Sequence, residues 1–193
     1  GIDYIDVLNS FKLDNRLNVN NKMPEVMNYM IPGIGYGGSC FPKDIKTFIK
    51  FAEEKSFNLS ILKNVDKINS LQPKFISEII LKKFRENKVK NCLVLGLTFK
   101  ENTDDIRNST SIDVVNLLAR SQIKICVYDP IFSKKLFNKN KKLFNKKIKY
   151  LNKIDFNQCF NSIVVNNKSE EFKKIIQFYD KKYNTLIFDS RRA

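Results

Sequence analysis

Cys92-Leu93-Val94-Leu95-Gly96 is a short apolar run closed by a glycine turn, and it sets the fold. A polar stretch follows, and then Ile112, Val115, Leu118 and Ala119 recur at helical spacing, so a strand hands over to a helix with one apolar side. The alternation repeats. Lys124-Ile125-Cys126-Val127-Tyr128-Asp129-Pro130, Ser162-Ile163-Val164-Val165-Asn166 and Thr185-Leu186-Ile187-Phe188-Asp189 read as three more strands, with helices between them. Strands alternating with helices predict a Rossmann-like parallel sheet, an α/β unit over residues 87–193. Such sheets bind ligands at the carboxyl ends of their strands, where residues 98–109 and 189–192 fall. Cys92 and Cys126 lie inside strands and read as core. Cys159, beside Phe160, reads the same way.

Upstream the texture is helical. Ile2, Ile5, Leu8 and Phe11 recur at helical spacing, so the chain opens on a helix already under way and Gly1 is not expected to be its natural beginning. Residues 15–22 read as a loop and 24–30 as a short helix or turn. Phe48, Ile49, Phe51 and Ala52 suggest a helix ending near Ser56. Residues 60–85 form a long helical stretch with Ile76, Ile79, Ile80 and Phe84 on one face, which Pro73 is expected to kink or restart. Residues 1–86 are therefore a central helical region, and its apolar surface exceeds what a lone α/β domain needs.

Between the helices lies Pro32-Gly33-Ile34-Gly35-Tyr36-Gly37-Gly38-Ser39-Cys40-Phe41-Pro42-Lys43-Asp44, holding four of the six glycines. Glycines let the backbone approach a ligand closely and prolines stiffen the turns around them, so a thiol here is presented rather than packed. Lys43 supplies a charge that favours thiolate, and Asp44 a carboxylate to handle protons or water. Cys40 reads as a nucleophile, against the plainer reading of a structural turn around a small buried cysteine. Lys43 could equally form a surface ion pair, and Asp44 a helix cap. The loop lacks the Gly-Lys-[Ser/Thr] ending of a phosphate loop, and no apolar strand precedes Gly33-x-Gly35-x-x-Gly38 as a dinucleotide fingerprint requires.

Composition narrows the classes. Four scattered cysteines without Cys-x-x-Cys spacing, and no histidine at all, argue against a zinc site, a disulfide scaffold and a histidine base within these residues. The formal charge is +15, and residues 134–153 carry nine lysines and no acid. Those lysines are interleaved with Asn, Leu, Phe and Ile, without an arginine fork, so they read as a solvated surface that attracts anions rather than a nucleic-acid site. No apolar run is long enough to span a membrane and no signal peptide is visible, which makes the cytoplasm the expected location.

Two motifs in order carry a resemblance. The Cys40 loop and Gly96-Leu97-Thr98-Phe99-Lys100-Glu101-Asn102-Thr103-Asp104-Asp105-Ile106-Arg107-Asn108-Ser109 resemble the active-site and C-terminal signatures of the UDP-glucose/GDP-mannose dehydrogenase family, which oxidises a sugar alcohol to a carboxylate. Leu13-Asp14-Asn15-Arg16 matches an arginine the family places ahead of the loop, at a longer distance than usual. The resemblance spans the chain, yet the family's first, NAD-binding Rossmann domain has no counterpart. It implies a C-terminal fragment, inactive alone, of an NAD-dependent homodimeric enzyme.

By the same resemblance, Cys40 would attack the aldehyde formed by a first hydride transfer, giving a thiohemiacetal that a second transfer turns into a thioester. Asp44 would position or deprotonate the hydrolytic water, and Lys43 would tune the thiol or order the loop. Ile31, Gly33, Gly35 and Tyr36 would cradle a UDP-sugar, and Tyr29 would line the pocket. Phe99, Lys100 and Arg191 would contact the sugar nucleotide, Arg16 the substrate of a partner subunit, and Arg107 the NAD. Ser39 and Phe41 around the cysteine fit the UDP-glucose branch best. The GDP-mannose branch, or a binding and assembly module without turnover, remain the alternatives.

Overall fold

The computed structural model describes residues 2–14, 16 and 32–190. The expected loop over 15–22, Arg16 excepted, and the expected turn over 24–30 lie outside these residues. Three helices come first. Helix α1 (Tyr4–Leu13) starts at Asp3, whose carboxylate accepts the Ile5 N–H at 2.7 Å. Helix α2 (Phe41–Glu54) carries Pro42 in its first turn, where a missing N–H costs no helical bond. Helix α3 (Ser60–Glu86) is 27 residues long.

Helix α3 does not restart at Pro73: it runs through the proline as one element. Proline removes only its own N–H, and the packing beyond it outweighs that loss. Ile76, Ile80 and Phe84 are each 1% exposed, against α4 (Thr110–Leu118) and the sheet. Fully burying side chains of this size is worth about 1.5–3 kcal/mol each. Ile79 is half-buried at the edge of this face.

The remainder is a parallel five-stranded sheet. The strands are β1 (Asn91–Leu95), β2 (Lys124–Tyr128), β3 (Lys149–Tyr150), β4 (Ser162–Val165) and β5 (Leu186–Asp189), in the order β3-β2-β1-β4-β5. Leu93 pairs with Cys126 on one side and Ile163 on the other. Alternation divides the strand residues between two cores. Cys92, Val94, Ile125, Val127 and Val164 face α3, α4 and α5 (Lys134–Lys139), while Leu93, Leu95, Tyr128, Ile163 and Val165 face α6 (Glu170–Tyr183). The sheet grows outward from β1 to β3 and returns to β4 on the other side, so a crevice opens beyond the carboxyl ends of β1 and β4.

Two expectations are corrected. Residues 134–153 are not merely solvated surface, because Phe137, Phe144 and Ile148 between the lysines are buried in the core and β3 forms at its end. Cys159 is exposed, not core; Phe160, 1% exposed, takes the buried place beside it. Among the described residues no helix is long and apolar enough to cross a membrane.

Candidate active site

Residues 32–40 run without regular structure into α2, and side chains from two other elements hold them in place. From α3, Gln72 donates to the Gly33 carbonyl at 2.8 Å, while Asn69 accepts the Tyr36 N–H at 2.8 Å and donates to the Tyr36 carbonyl at 3.0 Å. From the turn after β1, the Asn108 amide donates to the Gly38 carbonyl at 2.9 Å, and the Gly38 N–H donates to the Arg107 carbonyl. Thr110, first residue of α4, reaches the Gly35 carbonyl at 3.3 Å. The loop is thus pinned between the long helix and the strand crevice.

Glycine is required where the loop meets that turn. A Cβ on Gly37 would lie 2.2 Å from the Asn108 carbonyl oxygen, and one on Gly38, at φ +89°, 2.8 Å from the Phe99 ring. The glycine density of the sequence is therefore a docking surface. It brings the Cys40 loop onto the residues of the second motif.

Cys40 occupies the N-cap of α2 and is exposed, as expected of a presented thiol. No side chain caps this helix, so its first N–H groups and positive dipole end lie open beside the sulfur, an arrangement that stabilises negative charge. The Ser39 hydroxyl lies 3.7 Å from Sγ. Two cations feel Cys40 electrostatically. Asp44, 2.6 Å from Lys43, holds that ammonium above its ordinary value, and Cys40 adds to the effect. Asp105, gripping Arg107 through a two-pronged fork, holds the guanidinium above its usual range, with Cys40 contributing again. Asp44 is therefore not the cap; it stands in the first turn, its N–H donating to the Cys40 carbonyl.

Tyr36 packs its ring edge-on to Phe41 with centroids 4.8 Å apart. Burial, reinforced by Asp66, pushes its phenol upward, and its buried hydroxyl has no hydrogen-bond partner among the described residues.

Beyond the loop, Pro32, Gly33, Ile34 and Gly35 form one wall of a cavity of about 240 Å³. Phe99, Lys100 and Glu101 form the second, and Asn166, Asn167 and Lys168 at the end of β4 the third. The Lys100 ammonium lies 5.5 Å from the Phe99 ring centroid. Asn167 donates to the Thr98 hydroxyl at 2.9 Å, and buried Asp129 accepts the N–H groups of Leu97, Ile131 and Phe132, fixing the strand ends.

The structure thus gathers Gly33, Gly35, Phe99 and Lys100 around one cavity, and Cys40, Lys43, Asp44, Tyr36 and Arg107 at the adjoining end of the loop. Arg16 is exposed and forked onto Asp14 at 2.7 Å. Tyr29, Ile31 and Arg191 lie outside the described residues. Sequence reasoning passed over Asn69, Gln72, Asn108 and Asn166; the pair Asn69 and Gln72, just before Pro73 in an amphipathic helix, was the available signal.

Comparison with known proteins identifies the family. The model of the UDP binding domain of the UDP-glucose/GDP-mannose dehydrogenase family matches residues 93–193, and that of its central domain residues 1–71. The chain belongs to this family. A UDP-glucose 6-dehydrogenase of Rickettsia typhi is 32% identical over 171 residues, 85% of this chain and 38% of the relative. UDP-glucose 6-dehydrogenase YwqF of Bacillus subtilis is 39% identical over 103 residues, 53% of this chain and 23% of the relative. Among solved structures, a UDP-glucose dehydrogenase of Pyrobaculum islandicum superposes with TM-score 0.68 at 27% identity, covering 90% of this chain and 38% of that one. A GDP-mannose dehydrogenase of Pseudomonas aeruginosa, at 22% identity and TM-score 0.69, shares the fold. The chain thus spans about two fifths of the length of the first relative it matches.

Proposed function

We propose that this family member contributes the thiol and the sugar-nucleotide pocket to an enzyme oxidising UDP-glucose to UDP-glucuronate. One observation carries the reading: Gly37 and Gly38 seat the exposed Cys40 loop on Phe99 and Asn108, so that thiol and cavity share one rigid frame. The division into residues 1–86, with the thiol, and 87–193, with the strand-end walls, goes with it.

The sulfur's part is addition to a C6 aldehyde. The thiolate forms an S–C bond, the carbonyl π pair moves to oxygen, and a proton from solvent completes a thiohemiacetal. The positive end of α2, with Lys43 and Arg107 beside it, supports negative charge at the attacking sulfur. Asp44, one helical turn from Cys40, stands where it can orient the water that later hydrolyses a thioester. NAD, when bound, takes up the hydrides of the two oxidations. Arg107, forked onto Asp105 beside the Cys40 loop, is the residue that would contact it.

The same reading makes the chain a homodimer. Ile61, Val65, Ile68 and Phe75 are exposed along α3, with Phe48 and Phe51 exposed on α2, an apolar surface of the kind that marks protein contacts. The test needs no cofactor. The chain is mixed with the 6-aldehydes of UDP-glucose and of GDP-mannose, each isotopically labelled at C6, and the thiohemiacetal carbon is observed by NMR. Capture of the UDP-sugar aldehyde on Cys40, lost in Cys40→Ser, supports the proposal. Capture of the GDP-sugar alone reassigns the substrate, and capture of neither refutes a catalytic Cys40.

A further inference from the structure

Asn166 ends β4 and is 6% exposed, yet its side-chain Nδ2 has no hydrogen-bond partner among the described residues. Buried amide N–H groups are almost always paired, since leaving one unpaired costs about 1–3 kcal/mol. The rest of the residue is firmly held. Its backbone N–H donates to the Leu95 carbonyl at 2.9 Å, and its Oδ1 lies 2.8 Å from the Ser190 hydroxyl.

The amide presents its oxygen to Ser190. The Ser190 hydroxyl has one proton, and it stands 2.8 Å from both Asn166 Oδ1 and the Val165 carbonyl. The Val165 carbonyl also accepts the Ser190 N–H at 3.1 Å, and Asn166 turns its Oδ1, not its Nδ2, toward the hydroxyl. Nδ2 is left over as a donor on a residue that lines the cavity between Gly33, Lys100 and Lys168. Thr110 brings the positive end of α4 to the same cavity. An uncommitted N–H with two ammonium groups and a helix N-terminus suits a ligand oxygen that is negative or strongly polarised.

We infer that Asn166 is a specificity-determining contact, donating its free amide N–H to an acceptor oxygen of the nucleoside diphosphate, and that Ser190 is a positioning residue that aims it. The inference rests on the proposed sugar-nucleotide reading of the cavity. A phosphate oxygen and a pyrimidine carbonyl offer the same chemistry. The group absent from the protein's own hydrogen bonds is thus supplied by the substrate.

Calorimetric titration of the chain with UDP, uridine and inorganic pyrophosphate tests this. Asn166→Ala is expected to weaken UDP about tenfold, the loss of one good hydrogen bond, and to lower thermal stability modestly because Ser190 loses its contact with Oδ1. Asn166→Asp keeps the shape and the acceptor for Ser190 but replaces the donor by an anion, so it should weaken UDP further and recover as falling pH protonates the carboxyl. Ser190→Ala should weaken UDP in the parent and add nothing in the Asn166→Ala background. A loss confined to pyrophosphate assigns the phosphate, and one confined to uridine the base; either supports the contact. Unchanged UDP affinity in Asn166→Ala, or an Asp variant binding as well as the parent, overturns the inference alone. Failure of the parent chain to bind UDP overturns the cavity's proposed function and the inference with it.

Discussion

Asn69 holds Tyr36 by both of its peptide groups, accepting the N–H at 2.8 Å and donating to the carbonyl at 3.0 Å, across 33 residues of sequence. A side-chain amide here imitates the edge of a strand. It ties the Cys40 loop to α3 at the turn before Pro73, so the position of Cys40 depends on that helix. Replacing Asn69 by Leu leaves two partly buried backbone groups unpaired, a cost of about 1–3 kcal/mol. For a chain of this size that lowers the melting temperature by roughly 2–4 °C per kcal/mol, measurable by calorimetry. Amide exchange in residues 33–38 should quicken in the same variant.

Gly37 tests the docking. Alanine there places a methyl carbon 2.2 Å from a backbone oxygen, Asn108 O, which cannot swing aside as a side chain can. We expect Gly37→Ala to release residues 33–40 from the β1–α4 turn at a cost of about 1–3 kcal/mol or more, and to leave the two sheet cores intact. Hydrogen exchange should show the loss confined to the loop and residues 98–109. Protection unchanged in the loop would contradict the close approach.

Much of this was legible in the sequence, for reasons specific to each element. Strands β1, β2 and β4 announce themselves because both faces of a parallel sheet are buried there, which writes short unbroken apolar runs, and half-buried β5 at the sheet edge still carries Leu186, Ile187 and Phe188 in a row. Strand β3 pairs through only Lys149 and Tyr150, too few residues to stand out in a lysine-rich stretch. Cys159 and Phe160 are neighbours with opposite burial, and a reading by proximity assigned both to the core. The thiol loop was visible through its glycines. Its clamps were not, because Asn69, Gln72 and Asn108 lie 33 to 70 residues from their partners and each is an ordinary polar residue until the fold places it.

Alkaline pH provides a prediction with a defined sign. Burial, aided by Asp129, pushes the Tyr150 phenol up to about 12, and burial, aided by Tyr183, does the same to Tyr179. Both donate to backbone carbonyls, Tyr150 to Phe132 and Tyr179 to Gln158. The folded values exceed the unfolded one of about 10, so this stability is complete below pH 10 and is lost as pH rises toward 12. Urea midpoints between pH 9 and 12 should fall accordingly, the stability declining by at most about 1.4 kcal/mol per pH unit for each tyrosine. Tyr179→Phe should be less stable at neutral pH and flatter across that window.

The exposed stripe on α3 predicts association. Val65 and Ile68 are on the same apolar face as Ile61 and Phe75, and glutamate at both places two charges where a partner surface would bury them. Sedimentation should show a dimer for the parent chain at micromolar concentration and a monomer for the double variant, with the sheet unchanged by circular dichroism. A parent monomer at high micromolar concentration would remove the homodimer, and with it a cross-subunit task for Arg16.

Thiol labelling separates the four cysteines and tests the site in the same experiment. Cys40 and Cys159 are exposed, whereas Cys92 and Cys126 lie within strands, their thiols pushed up by burial. Iodoacetamide at neutral pH should therefore modify Cys40 and Cys159 and spare the other two until the sheet unfolds. Cys40 should react faster than Cys159, because it alone combines exposure with a helix N-terminus and the charges of Lys43 and Arg107. Under the proposed function, added UDP-glucose should slow Cys40 several-fold and leave Cys159 untouched. Equal protection of both cysteines would indicate a global effect of ligand. Full reactivity of Cys40 with UDP-glucose bound would separate the thiol from the pocket and undo the proposal that they serve one substrate.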